Sequence, residues 1–292
     1  MESKRLKVGE GKISGILSIF LATLSLLGIL CFKFPELLTT ADLRNIYTAE
    51  MVENLMFIAI ALSFGFSILS FVLSKSKKLA VIGIVLCAIA IFLGGFKVEG
   101  DAVEKVSWSI GLDWLILDLF LMVLIFTPIE LAFPKNKEQS KFHPEWKTDL
   151  IYFTVSHIFI QLFGVITQKP AVALFGSLNL MPVHEWVQGL PFLVELFLAL
   201  FISDVFQYWA HRIFHSNQFL WRFHAVHHST KHMDWLAGSR THFFDIFFTR
   251  SISFIPIYVL GFSTLTFNVY IVIIAIHAVL IHANTSINFG FL

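Results

Sequence analysis

Long apolar runs, broken by short charged clusters, dominate this chain. A helix needs about 20 mostly apolar residues to cross a bilayer. Ile13–Phe32 and Asn54–Leu73 meet that requirement, the second ending at "SKSKK". Leu79–Phe96 also meets it and ends near Lys97, with Gly94 and Gly95 loosening its last turn. Leu112–Leu131 is long enough but carries Asp113, Asp118 and Glu130. Carboxylates are costly in hydrocarbon, so the two aspartates should lie near an interface or face protein. The polar stretch "PKNKEQSKFHPEWKTD", Pro134–Asp149, is the clearest linker. Beyond it, Leu150–Thr167 and Leu190–Tyr208 read as spans, the latter carrying Glu195, Ser203, Asp204 and Gln207. Ala171–Leu180 is too short to cross and reads as re-entrant or interfacial. Phe243–Leu260, which contains Arg250 and Pro256, and Thr264–Ile281 form a hairpin around "GFST".

The pattern predicts an all-α, polytopic membrane helical bundle with little sheet. It has two parts: an N-terminal transmembrane region over 1–110, and a second region over 111–292 holding a polar, histidine-rich helical cap between His211 and His242. Composition agrees. Of the 292 residues, 57% are hydrophobic and only 14% charged, against about a quarter charged in soluble domains. A net charge of +1 gives no broad attraction to nucleic acid. Cys31 and Cys87 both sit in apolar runs and read as small buried hydrophobes, not as a disulfide framework. "MESKRLKVGEGK" precedes an apolar run with no small-residue cleavage site after it, so the first span is expected to be retained. Basic loops mark the cytoplasmic side of a membrane. The strongest are Lys75–Lys78 and Lys135–Lys147, and two crossings separate the second from His211. The histidines are therefore expected on the cytoplasmic side.

Five of the eighteen residues in "HRIFHSNQFLWRFHAVHH", His211–His228, are histidine. His211 and His215 are four apart and share one helical face, as do His224 and His228, with His227 alongside. Asp204 precedes His211 by two turns on that same face and is a candidate to ligate metal or to hold a ligating imidazole through its outer N–H. Neutral imidazoles in this number suit iron, zinc, nickel or copper. A solvated histidine-rich loop would need neither the apolar spacer nor two separate registers. His242 and His282 are further candidate ligands, the latter at a membrane edge near Asn284. Seven imidazoles exceed what one ion takes and suffice to begin two. His232 reads as an exposed loop histidine and His277 as a packed polar residue. His143, His157 and His184 are isolated in sequence and read as structural.

Four stretches together resemble the fatty acid hydroxylase superfamily, which includes sterol desaturases: "DVFQYWAHRIFH" (Asp204–His215), "RFHAVHHST" (Arg222–Thr230), "MDWLAGSRTH" (Met233–His242) and "HANTSINFG" (His282–Gly290). The resemblance covers about Leu112–Leu292; the first 110 residues carry no signature of it. It implies a membrane enzyme with two irons held by histidines, using O2 to hydroxylate or desaturate a lipid. Electrons come from an external donor such as a cytochrome or ferredoxin. Carried onto this chain, the ligands are His211 and His215, then His224, His227 and His228, with His242 and His282 at further metal-region positions. No nucleophile or general base is implied beyond these. The family pattern continues with a third HxxHH-like cluster after the last stretch, whereas this sequence stops at "GFL". The expectation is a piece of a longer protein with an incomplete second iron site and weak or absent activity. Competing readings are a metal or proton transporter, for which His157 and His277 are the intramembrane candidates, and a non-catalytic lipid-binding protein with residual ligands. A zinc phosphoesterase fits less well, because only Asp204 and Asp245 supply carboxylates nearby.

Overall fold

A computed structural model describes residues 8–44, 46–95, 97, 109–175, 178 and 180–287. Lys4–Lys7, Phe96 and the end of "HANTSINFG" from residue 288 lie outside the described residues. The described residues are helical and contain no strand. Among the described residues, six helices are long and apolar enough to cross a membrane, as expected of an integral membrane protein. The chain divides into two compact units, Met1–Phe120 and Leu121–Leu292.

The first unit is built on α1 (Lys12–Lys33), α4 (Ala49–Leu73) and α5 (Lys78–Phe92), with the short α2 (Pro35–Leu38) and α3 (Ala41–Arg44) between the first two. Its three main helices pack on one another along small hydroxyl residues. Ser18 Oγ lies 3.2 Å from Ser63 Oγ, and Ser63 Oγ donates to the Ser18 carbonyl at 2.7 Å. Cys87 Sγ lies 3.0 Å from Ser63 Oγ. At Gly83 a Cβ would come within 2.1 Å of Ser18 Oγ, so the close approach of α5 requires glycine. Small residues let helices meet where lipid provides no hydrophobic drive for association. The helix α5 ends at Phe92, short of the Phe96 expected from hydropathy, because Gly94 and Gly95 take positive φ and turn the chain. Asp113 explains its place in an apolar run by accepting from Thr40 N–H at 3.0 Å.

The second unit contains the histidines. Its helices are α7 (Trp146–Phe175), α8 (Met181–Gln188), α9 (Phe192–Ser216), α10 (Gln218–His224), α11 (Phe243–Leu260) and α12 (Thr264–His282), with two 3-10 turns at His227–Ser229 and Ala237–Ser239. The helix α6 (Leu112–Ala132) spans the boundary between the units. Ala171–Phe175 is no separate re-entrant piece: α7 starts inside the expected linker, at Trp146, and runs unbroken to Phe175. Likewise α9 continues past Tyr208 to Ser216, so the first histidine pair rides on the end of a span. Asn217 then breaks the helix and caps the next, its Oδ1 accepting from Phe219 N–H and Leu220 N–H.

Helix α11 packs against α7 and α9, and α12 against α9. Phe254, Ile257 and Tyr270 form the buried centre. Glu195 is buried at the start of α9, where it accepts from Ser263 N–H (2.6 Å), Ser263 Oγ (3.0 Å) and Thr266 Oγ1 (2.7 Å). Its charge is thereby spent on the N-terminus of α12, a favourable place for a carboxylate. Gly261 ends α11 at φ 72°, where a Cβ would run into the His184 ring.

Candidate metal centre

Two adjacent groups of imidazoles form in the second unit. In the first, donor atoms of His211, His215, His224 and His228 all lie within 4.8 Å of one another. The Nε2 atoms of His211 and His215 are 3.1 Å apart, those of His215 and His228 3.3 Å, and those of His228 and His224 3.2 Å. The i, i+4 spacing on α9 supplies one pair. The bend at Asn217 turns α10 so that His224, and then His228 on the first 3-10 turn, face it. His224 is buried, and its Nδ1 donates to Asp245 Oδ2 at 2.7 Å. That proton leaves Nε2 with its lone pair pointing into the group. Trp221 stacks on His228 at 5.3 Å and packs beside His215, an apolar wall on this group.

The second group is a pair. His227 Nε2 and His282 Nε2 are 3.2 Å apart. His227 Nδ1 donates to the Arg240 carbonyl at 3.3 Å, and His282 Nδ1 to the Ala278 carbonyl at 2.6 Å. With both Nδ1 protons committed to carbonyls, the two Nε2 atoms confront each other lone pair to lone pair. A cation between them removes that repulsion; a proton would require an imidazolium. Burial first, and then the neighbouring His282 and His224 rings, depress His227 to about 4, so it is neutral at pH 7. His228 is lowered for the same reasons, burial followed by His224 and His215. The groups are neighbours: the His227 ring centroid lies 5.5 Å from that of His224 and 5.4 Å from that of His228.

Two sequence expectations are placed differently. His242 lies outside both groups; its Nδ1 accepts from Phe244 N–H at 3.1 Å and caps α11, while its ring packs on Phe223. Asp204 is exposed on α9, and the carboxylate that holds an imidazole is Asp245. Helical-face arithmetic along one element favoured Asp204, whereas the partner comes from the packing of α10 and α11.

A third convergence involves residues that read as isolated or exposed in sequence. His143 is buried, donates from Nε2 to Asp234 Oδ2 at 3.0 Å, and has Asp149 Oδ2 at 3.7 Å. His232, expected as an exposed loop residue, stacks on His143 at 4.9 Å and is half-buried. His143 Nδ1 accepts from Glu145 N–H at 3.3 Å, which directs its Nε2 proton toward Asp234, and the donor atoms of His143, Asp149 and Asp234 lie within 4.8 Å of one another. No spacing rule joins His143 to Asp234; only the fold brings them together.

Comparison with known proteins assigns a family to the part of the chain that carries these groups. Residues 196–292 match the fatty acid hydroxylase family. The match starts in α9 and takes in both imidazole groups, and it agrees with the family resemblance read from the sequence. Within the same superfamily, the ornithine lipid hydroxylase OlsE of Rhizobium tropici is 30% identical over 171 residues, which is 58% of this chain and 52% of the relative. The chain therefore spans about half the length of the curated relative it matches. No solved structure matches the chain.

Proposed function

We propose that this protein is a membrane lipid hydroxylase whose histidine groups hold two irons. The observation that carries the reading is the convergence of Nε2 atoms in two adjacent groups, one of four imidazoles and one of two. The fit is chemical: neutral, nitrogen-rich donors, each orientable through its other ring nitrogen, suit a divalent transition metal. His211, His215, His224 and His228 would hold one iron, and His227 with His282 would contribute to the other. Bound iron would supply O2 activation and the oxidising power needed to hydroxylate an unactivated C–H bond.

The chain's own residues do the rest. Asp245 fixes the His224 tautomer, and the carbonyls of Arg240 and Ala278 fix those of His227 and His282. Trp221 and Phe214 flank the first group, on the His228 and His224 rings respectively. The family match and the lipid-hydroxylase relative favour hydroxylation over desaturation and a membrane lipid as substrate. Electrons would come from an external cytochrome or ferredoxin, with the groups on the cytoplasmic side, as the basic loops favour. The donors gather at helix ends and in turns rather than along a span, which weighs against a transport path.

The test is metal content and product in one preparation. The chain, purified in detergent without a polyhistidine tag, should carry iron in preference to zinc. With lipid vesicles, O2 and a reducing partner, whatever oxygen-dependent product forms should be a lipid carrying one added oxygen atom, at the weak level expected of a second group with two imidazoles. Tight zinc with no oxygen-dependent product would replace this reading with a structural or hydrolytic site. A folded chain that takes up no metal would end it.

A further inference from the structure

The two imidazole groups are held by different means. The four-histidine group is fixed by helical spacing and by Asp245. The His227–His282 pair is fixed by the segment Asp234–Arg240, which the family chemistry does not account for. Asp234 Oδ1 accepts from Leu236 N–H and Ala237 N–H, both at 3.0 Å, and so caps the 3-10 turn Ala237–Ser239. Gly238 in that turn lies against His282: a Cβ there would be 2.9 Å from His282 Nδ1 and 3.0 Å from its Cγ. The turn ends at Arg240, whose carbonyl takes the His227 Nδ1 proton. The Arg240 side chain is buried; its Nε donates to Asp149 Oδ1 at 2.6 Å and its Nη1 to Glu145 Oε2 at 3.0 Å.

We infer that Arg240 is the positioning residue for the His227–His282 pair, its guanidinium clamping to α7 the turn that sets the His227 tautomer and seats His282. The inference rests on the metal reading above and adds a division of labour to it. A planar guanidinium forked onto Asp149 and Glu145 fixes both position and orientation of the backbone that follows it, which a lysine cannot do. Buried Glu130 reinforces the arrangement. Its Oε1 accepts from Trp235 N–H at 2.7 Å and from Asn284 N–H at 2.9 Å, tying the start of the segment to the residue just past His282. One side of the turn therefore governs His227 and the other governs His282, while among the described residues none of its hydrogen bonds reaches the four-histidine group.

The experiment titrates Co2+ into the metal-stripped full chain in detergent, with absorption as the readout. The wild type is expected to show a tighter class of sites, from the four histidines, and a weaker one, from the pair. R240Q should weaken the weaker class about 10- to 100-fold, the range for residues that orient a ligating imidazole, and leave the tighter class unchanged. G238A should act in the same selective way, since it keeps every charge and its backbone is one alanine can adopt. It decides the matter should R240Q fail to fold. R240K should not rescue the weaker class. Both classes falling in parallel in folded G238A would mark the turn as merely structural and overturn the inference. So would an unchanged weaker class in both variants, or a single class in the wild type. A wild-type chain that takes up no cobalt sinks the proposed function itself, whereas two wild-type classes untouched by the variants sink only this inference.

Discussion

The two units of this chain are both helical, yet they spend their buried polar atoms in opposite ways. In the first, the groups between α1, α4 and α5 are serine hydroxyls and a thiol, neutral and satisfied by one another. In the second, ionisable groups join the hydroxyls: Glu130, His143, Asp149, Asp234, Arg240 and Asp245 are all buried. Neutral hydroxyls ask little of their surroundings and serve to bring helices close. Buried ionised groups are expensive and hold their place only when several partners converge on each. Here nearly all of them converge on the segments that carry imidazoles. Buried charge is thus densest around the imidazole-bearing segments, although the first unit also buries Arg44 and Asp113.

The largest expected effect comes from removing a donor of the four-histidine group. H224A should lower iron affinity by more than about 100-fold, beyond the range for outer partners, while H143A keeps its metal. Equal metal in both variants, by elemental analysis of the purified chains, would erase the contrast between ligand and scaffold. D245N comes next, with a loss of about 10- to 100-fold in metal affinity. D204N, on an exposed residue of the same face, should leave metal binding as it is; the reverse ranking would restore Asp204 to the site. H143A should instead cost about 1–3 kcal/mol of stability by stranding Asp234, the usual penalty for a buried group without its partner, visible as earlier thermal unfolding.

Acid should discriminate between the units as well. His227 has a folded value of about 4 against about 6.5 unfolded. Above 6.5 neither state is protonated and nothing changes. Between 6.5 and 4 the unfolded chain binds the proton and the folded chain does not, so stability of the metal-free protein falls as pH drops through that window. Thermal melts of the metal-free chain at pH 7.5 and 5.5 should show the loss, and H227Q should shrink it. An equal loss in H227Q would place the acid sensitivity elsewhere. The smallest effect is expected in the first unit. S63A should cost about 0.6 kcal/mol, typical of a hydroxyl bond between membrane helices, with metal binding untouched. A metal effect from S63A would break the division between the units.

Much of this was legible in the sequence because it obeys local periodicity. Apolar runs located the long helices, though α7 and α9 each run eight residues past the expected end, and the i, i+4 spacing of His211 with His215 and of His224 with His228 placed each pair on one side. His282 was marked by its position at the edge of an apolar run near Asn284 and by the family-like stretch "HANTSINFG". What stayed hidden depends on packing between elements. Asp245 lies 21 residues beyond His224, and the Arg240 carbonyl that orients His227 is a backbone atom with no signature at all. His143 looked isolated because its partner is 91 residues away. The one available signal was energetic: acidic and basic residues in an otherwise apolar region, each demanding a partner not visible nearby.

The carboxylate of Glu195 has a mechanical consequence. It pins the beginning of α12 to the beginning of α9. Sixteen residues separate Glu195 from His211 along α9, and sixteen separate Thr266 from His282 along α12. At 1.5 Å per residue each strut is about 24 Å long. The two arms work like the legs of a pair of calipers joined at one hinge, with matched lengths bringing the imidazoles at both tips to one depth. Adding a single residue to either arm would advance its tip by about 1.5 Å and swing it through about 100°. Adding one to both would preserve the match in depth while rotating the tips together.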